Sequence, residues 1–170
     1  KKLNLKIKYR ESFRPFAPSV LAEEREKYFE LGEPSPYMLL IADVQPARRR
    51  PLPPNYYAMP LREKLYHQRS DIPAVTHLDY SARIQTVHSE TNPRYHAVIS
   101  RFKELTGVPV VVNTSFNVRG EPIVCTPQDA YLCFMRTEMD LLVLEDHLVW
   151  KASQPAWVES EDWRQTYELD

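Results

Sequence analysis

An α/β fold with a mixed sheet is the class this 170-residue sequence predicts. Apolar runs of strand length are interleaved with amphipathic stretches of helical period. Two of those stretches open on a capping residue followed by proline, at Asn92-Pro93 and Thr126-Pro127. Four valines within the five residues 108–112 read as a fully buried strand, and the polar Asn113-Thr114-Ser115 follows at once. A polar cluster at the carboxyl end of a buried strand is where open α/β sheets place ligands. An ordinary turn after a strand fits the same spacing equally well.

The elements follow in order. Residues 3–10 alternate, with Leu3, Leu5, Ile7 and Tyr9 set against Asn4, Lys6, Lys8 and Arg10, which argues a strand with a basic face. Pro15 and Pro18 exclude regular helix across residues 13–18. Leu21 to Leu31 reads as a helix, with Ser19 near its start and Gly32 just past its end. Tyr37 to Val44 is apolar and reads as a strand. Residues 45–72 carry Arg48-Arg49-Arg50, then Pro51, Pro53, Pro54 and Pro60, with mixed charges, the pattern of a long surface excursion or a lid. The arginine triplet could grip phosphate or RNA, but a solvated charge run fits it better. Ile72 to Leu78 and Ala82 to Val87 read as strands. After the Asn92 cap, Tyr95, Val98, Ile99, Phe102 and Leu105 recur at helical spacing and Gly107 closes the helix. Thr126-Pro127-Gln128-Asp129 opens a second helix with Ala130, Cys133, Phe134 and Thr137 on its inner stripe. Leu141–Leu144 and Leu148–Lys151 form a closing hairpin, and Trp157 and Trp163 of the tail pack onto the body. No internal repeat is present.

Bulk properties narrow the function. The length suits a single domain with a sizeable core. With 22 basic and 23 acidic residues the net charge is −1, which argues against a dedicated nucleic-acid binder. No apolar run has membrane-spanning length and no stretch reads as a signal peptide. Two cysteines, Cys125 and Cys133, suggest no disulfide scaffold, so a reducing cytoplasm is expected. The chain starts at Lys1 rather than Met, the expected mark of a piece of a longer protein. Only 3 glycines occur, with no glycine-rich phosphate cradle, so phosphate binding must use side chains. The 5 histidines show no metal-ligand spacing, and no metal site is expected. Ser115 lacks the setting of a hydrolase nucleophile. Asp43, Asp79 and Glu121 read as structural rather than as acid–base groups. What remains is Lys8, Arg10, Arg14, Arg83, Ser115, Asn117 and Arg119. Phosphoryl and adenylyl transfer need positioning and charge neutralisation more than covalent help, and these residue types supply both.

Five blocks also resemble one family, in its order. They are Ile7-Lys8-Tyr9-Arg10-Glu11 running on through Phe13 to Val20, Pro73 to His77, Ala82 to Val87, Thr106 to Pro109, and Asn113 to Pro127. Together they resemble the C-terminal domain of the NodU/CmcH-type O-carbamoyltransferases, from about residue 4 to 150. The resemblance implies a YrdC-like twisted mixed sheet flanked by helices, a single domain over 1–152, with 153–170 a tail packing on it. It puts the family's KxR and SxN signature on Lys8-Tyr9-Arg10 and Ser115-Phe116-Asn117, with Lys8 at the end of a helix, and a glycine where Tyr80 stands. It implies binding of carbamoyl phosphate and ATP, with Mg2+, to form carbamoyl-adenylate and release pyrophosphate. Lys8, Arg10 and Arg83 would carry the catalysis and, with Arg14, Ser115, Asn117 and Arg119, hold the substrates. Arg14 and Arg119 could instead pin the polar loops by salt bridges. The partner implied is an N-terminal actin-like domain of the same protein, which would hold iron and pass the carbamoyl group to an acceptor hydroxyl; a homodimer is compatible. Two rivals stand beside this: a threonylcarbamoyl-adenylate synthase of YrdC type serving tRNA modification, and a non-catalytic RNA- or partner-binding module using Lys1–Arg10 and Arg48–Arg50.

Overall fold

β-Branched and aliphatic runs meet in a mixed four-stranded sheet. The computed structural model describes residues 1–158, which divide into two compact units. One is Pro15–Thr114; the other joins Lys1–Arg14 to the chain from Ser115 onward.

In the first unit, β1 (Ala17–Leu21), β2 (Leu40–Asp43), β3 (Ser81–Val87) and β4 (Val110–Asn113) lie in the order β2-β3-β1-β4. β1 runs parallel to β3, with Ser19 opposite Gln85, and antiparallel to β4, with Ala17 opposite Asn113. β2 runs antiparallel to β3, with Ile41 opposite Arg83. Side chains alternate between the two faces of a sheet. One face carries Val20, Ala82, Ile84 and Val110, which bury against Tyr28, Phe29, Leu31 and Val44. The other carries Leu21, Val87 and Val111, covered by Tyr95 and Ile99. Those two residues belong to the helix Pro93–Thr106. That helix starts and ends as its sequence predicts. Asn92 accepts the Tyr95 N–H at its start, and Gly107 takes the left-handed backbone at its end, φ 77°.

Several expectations give way. Val108–Val112 does not form a fully buried strand: β4 is a sheet edge, and Val112 is 37% exposed. Its apolar run reports side-chain preference, not how many neighbours the strand has. The helix expected from Leu21 is a short 3-10 turn, Ala22–Lys27. Ser19, expected near that helix start, lies inside β1 and donates to Gln85 Oε1 instead (2.6 Å). Ile72–Leu78 forms turns rather than a strand. Pro73 supplies no N–H, and the Thr76 hydroxyl donates back to Ile72 O (3.0 Å). Residues 45–72 hold two 3-10 turns and the helix Leu61–Tyr66. Each arginine of the triplet is held internally: Arg48 by Asp71 (2.6 Å), Arg49 by Asp43 (3.0 Å) and Arg50 by Gln68 (2.7 Å). Tyr80 has the left-handed backbone suited to a glycine, φ 69°. Its hydroxyl donates to Arg50 O (2.8 Å), which helps to hold that conformation.

In the second unit, α1 (Lys2–Lys6) replaces the strand expected over residues 3–10. The helix is one turn long, so alternation over so few residues does not separate the two periods. With Pro93–Thr106 numbered α3 after the helix Leu61–Tyr66 (α2), the second long helix is α4 (Pro127–Arg136). It opens on the expected capping box: Thr126 Oγ1 accepts Asp129 N (3.1 Å) and Asp129 Oδ2 accepts Thr126 N (3.0 Å). Ala130, Cys133, Phe134 and Thr137 are all buried, as their spacing predicts. β5 (Leu141–Leu144) and β6 (His147–Trp150) make the closing hairpin. Lys151 Nζ donates to Thr137 O (3.0 Å) and to Phe134 O at the end of α4. Trp157 meets Tyr131 edge-on at 6.4 Å between ring centroids; Trp163 lies outside the described residues.

Candidate functional site

The second unit gathers most of the predicted polar set. Beyond α1 the chain folds back, with Lys8 N donating to Leu3 O (2.9 Å), and the Lys8 side chain is only 4% exposed. Its ammonium lies among four oxygens: Ser115 O (2.8 Å), Ser115 Oγ (3.2 Å), Asn117 O (2.6 Å) and Asn117 Oδ1 (2.5 Å). An ammonium has three N–H donors, so this shell saturates it. Burial, reinforced by Arg10, pushes the Lys8 pKa down to about 8, while Cys133 and Glu121 act in the opposite sense. Burial also pushes the Cys133 thiol up, to about 12. Cys133 is thus an inert core residue rather than a nucleophile.

The 115–121 loop is closed around this cation. Ser115 Oγ donates to Asn117 Oδ1 (2.6 Å), Asn117 Nδ2 to Glu121 O (2.6 Å), and Val118 N to Glu121 Oε2 (3.1 Å). Gly120 supplies the left-handed residue of the turn, φ 76°. Three of the predicted site arginines belong to the same unit. Arg10 Nε donates to Asn4 Oδ1 (2.7 Å), and the buried Asn4 donates through Nδ2 to Arg14 O (2.7 Å). Arg14 and Arg119 both pair with Glu11, at 2.8 and 3.3 Å. A hydrogen bond from its own backbone, then Arg14, Arg119 and Arg10, hold the Glu11 carboxyl below its usual range. Arg119 N also donates to Lys8 O (3.1 Å), tying the two signature segments along the backbone.

Lys8, Ser115 and Asn117 are therefore in direct contact, and Arg10, Arg14 and Arg119 share the carriers Asn4 and Glu11. Arg83 belongs to the other unit, exposed on β3. Asn4 and Glu11 went unread in the sequence. Asn4 had no signal, because alternation assigned it to the polar face of a strand. Glu11 had one: it is the lone carboxylate among the first twenty residues, which hold six basic ones. The arrangement can do two things chemically. It presents the exposed residue Ser115 on a loop whose shape a buried charge sets. It also holds three cationic forks of the kind that grip oxyanions. Among the described residues no group of three His, Cys, Asp or Glu side chains could hold a metal ion, and no helix is long and apolar enough to cross a membrane.

The family model for the carbamoyltransferase C-terminus matches residues 1–151. The chain belongs to this family. Among its relatives, an uncharacterised protein of Synechocystis is 61% identical over 99% of the chain and 27% of its own length. The nodulation protein NolNO of Sinorhizobium fredii is 39% identical over 95% of the chain and 21% of its own length. The 3'-hydroxymethylcephem-O-carbamoyltransferase of Amycolatopsis lactamdurans is 36% identical over 81% of the chain and 22% of its own length. This carbamoyltransferase C-terminal domain thus spans about a quarter of the length of those relatives.

Proposed function

We propose that this domain binds carbamoyl phosphate and ATP and forms carbamoyl-adenylate, for transfer of the carbamoyl group to an acceptor hydroxyl by another part of a longer protein. The supporting observation is the closure of Lys8 onto Ser115 and Asn117, residues 107 and 109 positions away. Two short motifs that share no local structure converge on one buried charge, as a split phosphate site requires. The name of the Amycolatopsis relative supplies the carbamoyl chemistry.

Atom balance constrains the reaction. Carbamoyl-adenylate contains one phosphate, that of AMP. The phosphoryl group of carbamoyl phosphate therefore leaves to water as inorganic phosphate. A carbamate oxygen attacks the α-phosphorus of ATP, and pyrophosphate departs. Charge builds on the non-bridging phosphate oxygens in that step. Arg10, with Arg14 and Arg119 beside it, is assigned to those oxygens, and the Ser115 hydroxyl donates to them by turning away from Asn117 Oδ1, its partner in the ligand-free loop. Lys8 holds the Ser115–Asn117 loop and contributes its charge. Arg83 carries the same phosphate assignment on the resemblance alone, as do Mg2+ on ATP, the YrdC-like character of the sheet and a cytoplasmic setting. The acceptor step, its iron and the actin-like partner belong to residues outside this chain.

The test is carbamoyl-phosphate-dependent exchange of labelled pyrophosphate into ATP, on the protein in its full encoded length. Arg10→Ala is expected to lower exchange about a hundredfold or more; wild-type exchange in that variant overturns the assignment. AMP formation that requires threonine and bicarbonate would favour the threonylcarbamoyl reading instead. The internal partners of Arg48, Arg49 and Arg50 weigh against an RNA-binding module.

A further inference from the structure

The α3-bearing face of the first sheet is apolar over only half its extent. Leu21, Val87 and Val111 are covered, and then the face turns polar: Ser19 and Gln85 lie opposite each other, as do Ala17 and Asn113, and Arg83 and Ile41. A chain of hydrogen bonds fixes the amides there. Gln85 Nε2 donates to Pro36 O (3.1 Å), so Gln85 Oε1 is the end that receives the Ser19 hydroxyl (2.6 Å) and Asn113 Nδ2 (2.6 Å). Asn113 Nδ2 also reaches Met38 Sδ (3.4 Å). The orientation of Asn113 follows: its amide nitrogen faces Gln85, and its Oδ1 has no partner among the described residues. Nor does any hydrogen bond or ion pair engage the Arg83 guanidinium there. The β1–β3 register carried two residues back puts Ala17 opposite Arg83. Arg83 and Asn113 then stand two strands apart, about 10 Å between Cα atoms, across the smallest side chain of the row.

We infer that Asn113 is the residue that recognises the amino group of a carbamoyl phosphate lying on this face. Arg83 offers a forked donor to the phosphate. Asn113 Oδ1, on an amide whose nitrogen is fixed by Gln85, accepts from the carbamoyl NH2. The ligand read here is a small acyl phosphate whose acyl group carries N–H donors. An acyl phosphate with a methyl in place of that amino group leaves the Asn113 oxygen desolvated and unpaired, so the site discriminates between the two. This inference rests on the carbamoyl-phosphate reading above and adds the residue that sets its selectivity.

The experiment compares dissociation constants of carbamoyl phosphate and acetyl phosphate by calorimetry, on the protein in its full encoded length. The ratio of the two constants cancels their shared phosphate. Wild type is expected to favour carbamoyl phosphate by about tenfold. Asn113→Leu, checked for a normal unfolding transition, is expected to bring the ratio close to one. Asn113→Asp keeps an acceptor oxygen; it weakens both ligands by charge but retains the ratio. A wild-type ratio in Asn113→Leu overturns the assignment, as does a change confined to the KM for ATP. A wild-type protein that binds neither acyl phosphate fails the functional reading itself, and the inference falls with it.

Discussion

Lys8 and Arg83 are both cations in the family's motifs, and the fold treats them oppositely. Lys8 is buried under four oxygens of the Ser115–Asn117 loop, whereas Arg83 is exposed on an open sheet face with no partner among the described residues. A buried charge is tolerated only where protein groups replace its lost water, so the first use of the Lys8 charge is to shape the loop around it. A guanidinium on a solvated strand face bears no such cost, and its donors need no protein partner. The neighbours follow the same division. Around Lys8 the polar groups close on one another; beside Arg83 they are neutral amides that end in one spare acceptor. Under the proposed function, the two regions separate a charge that positions a loop from a charge offered to a ligand.

Substitutions can break this contrast. The largest effect is expected from Lys8→Met, which strips the ammonium from its four oxygens. It should lower folding stability by about 3–5 kcal/mol in urea titrations, with loss of exchange activity; an unchanged urea midpoint would make Lys8 a ligand-only residue. Arg83→Ala should do the reverse. Exchange falls about a hundredfold or more, roughly 3 kcal/mol, while stability stays within about 0.5 kcal/mol of wild type. A large loss of stability in that variant would remove the distinction. Asn4→Leu, which deprives Arg10 Nε and Arg14 O of their partner, should cost about 2 kcal/mol and weaken phosphate binding by releasing Arg10.

A pH titration sharpens the same contrast without mutation. In the folded chain the Lys8 pKa is lowered from 10.5 to about 8. Between those values the unfolded chain binds more protons, so this group's contribution to stability rises with pH across the window. Below about 8 both states are protonated and the contribution is flat. Exchange activity should move the other way, falling as pH rises through about 8, because the charge that holds the Ser115–Asn117 loop is lost. Urea midpoints and exchange rates at about pH 7 and about pH 9.5 would show the two trends crossing; parallel trends would dissociate Lys8 from the loop. The smallest effect is expected at Arg50→Ala, within about 0.5 kcal/mol of wild type and with no change in exchange.

Legibility in the sequence was uneven for physical reasons. The helices Pro93–Thr106 and Pro127–Arg136 could be read because their ends are local: a cap, a first-turn proline and, for the first, a closing glycine lie within the helix's own reach. Burial of Val112 and the strand expected at Ile72–Leu78 could not, because an apolar residue does not state what will cover it. The residue types of the site were legible from the shortage of glycine and the family motifs. Asn4, Glu11 and the Gln85 network were not, since each acts by holding another side chain rather than by a pattern of its own.

Taken alone, the amino-acid order determined the α/β class, the two capped helices and the inner stripe Ala130–Cys133–Phe134–Thr137, and it left side chains rather than glycine loops as the means by which the proposed phosphate binding would work. Tertiary structure alone decided that β4 lies at a sheet edge, that Lys8 meets Ser115 and Asn117, and that Asn113 Oδ1 has no partner among the described residues. Caps and stripes act over one or two turns of the chain. A contact between residues 107 apart depends on loop closure and packing summed over everything between them.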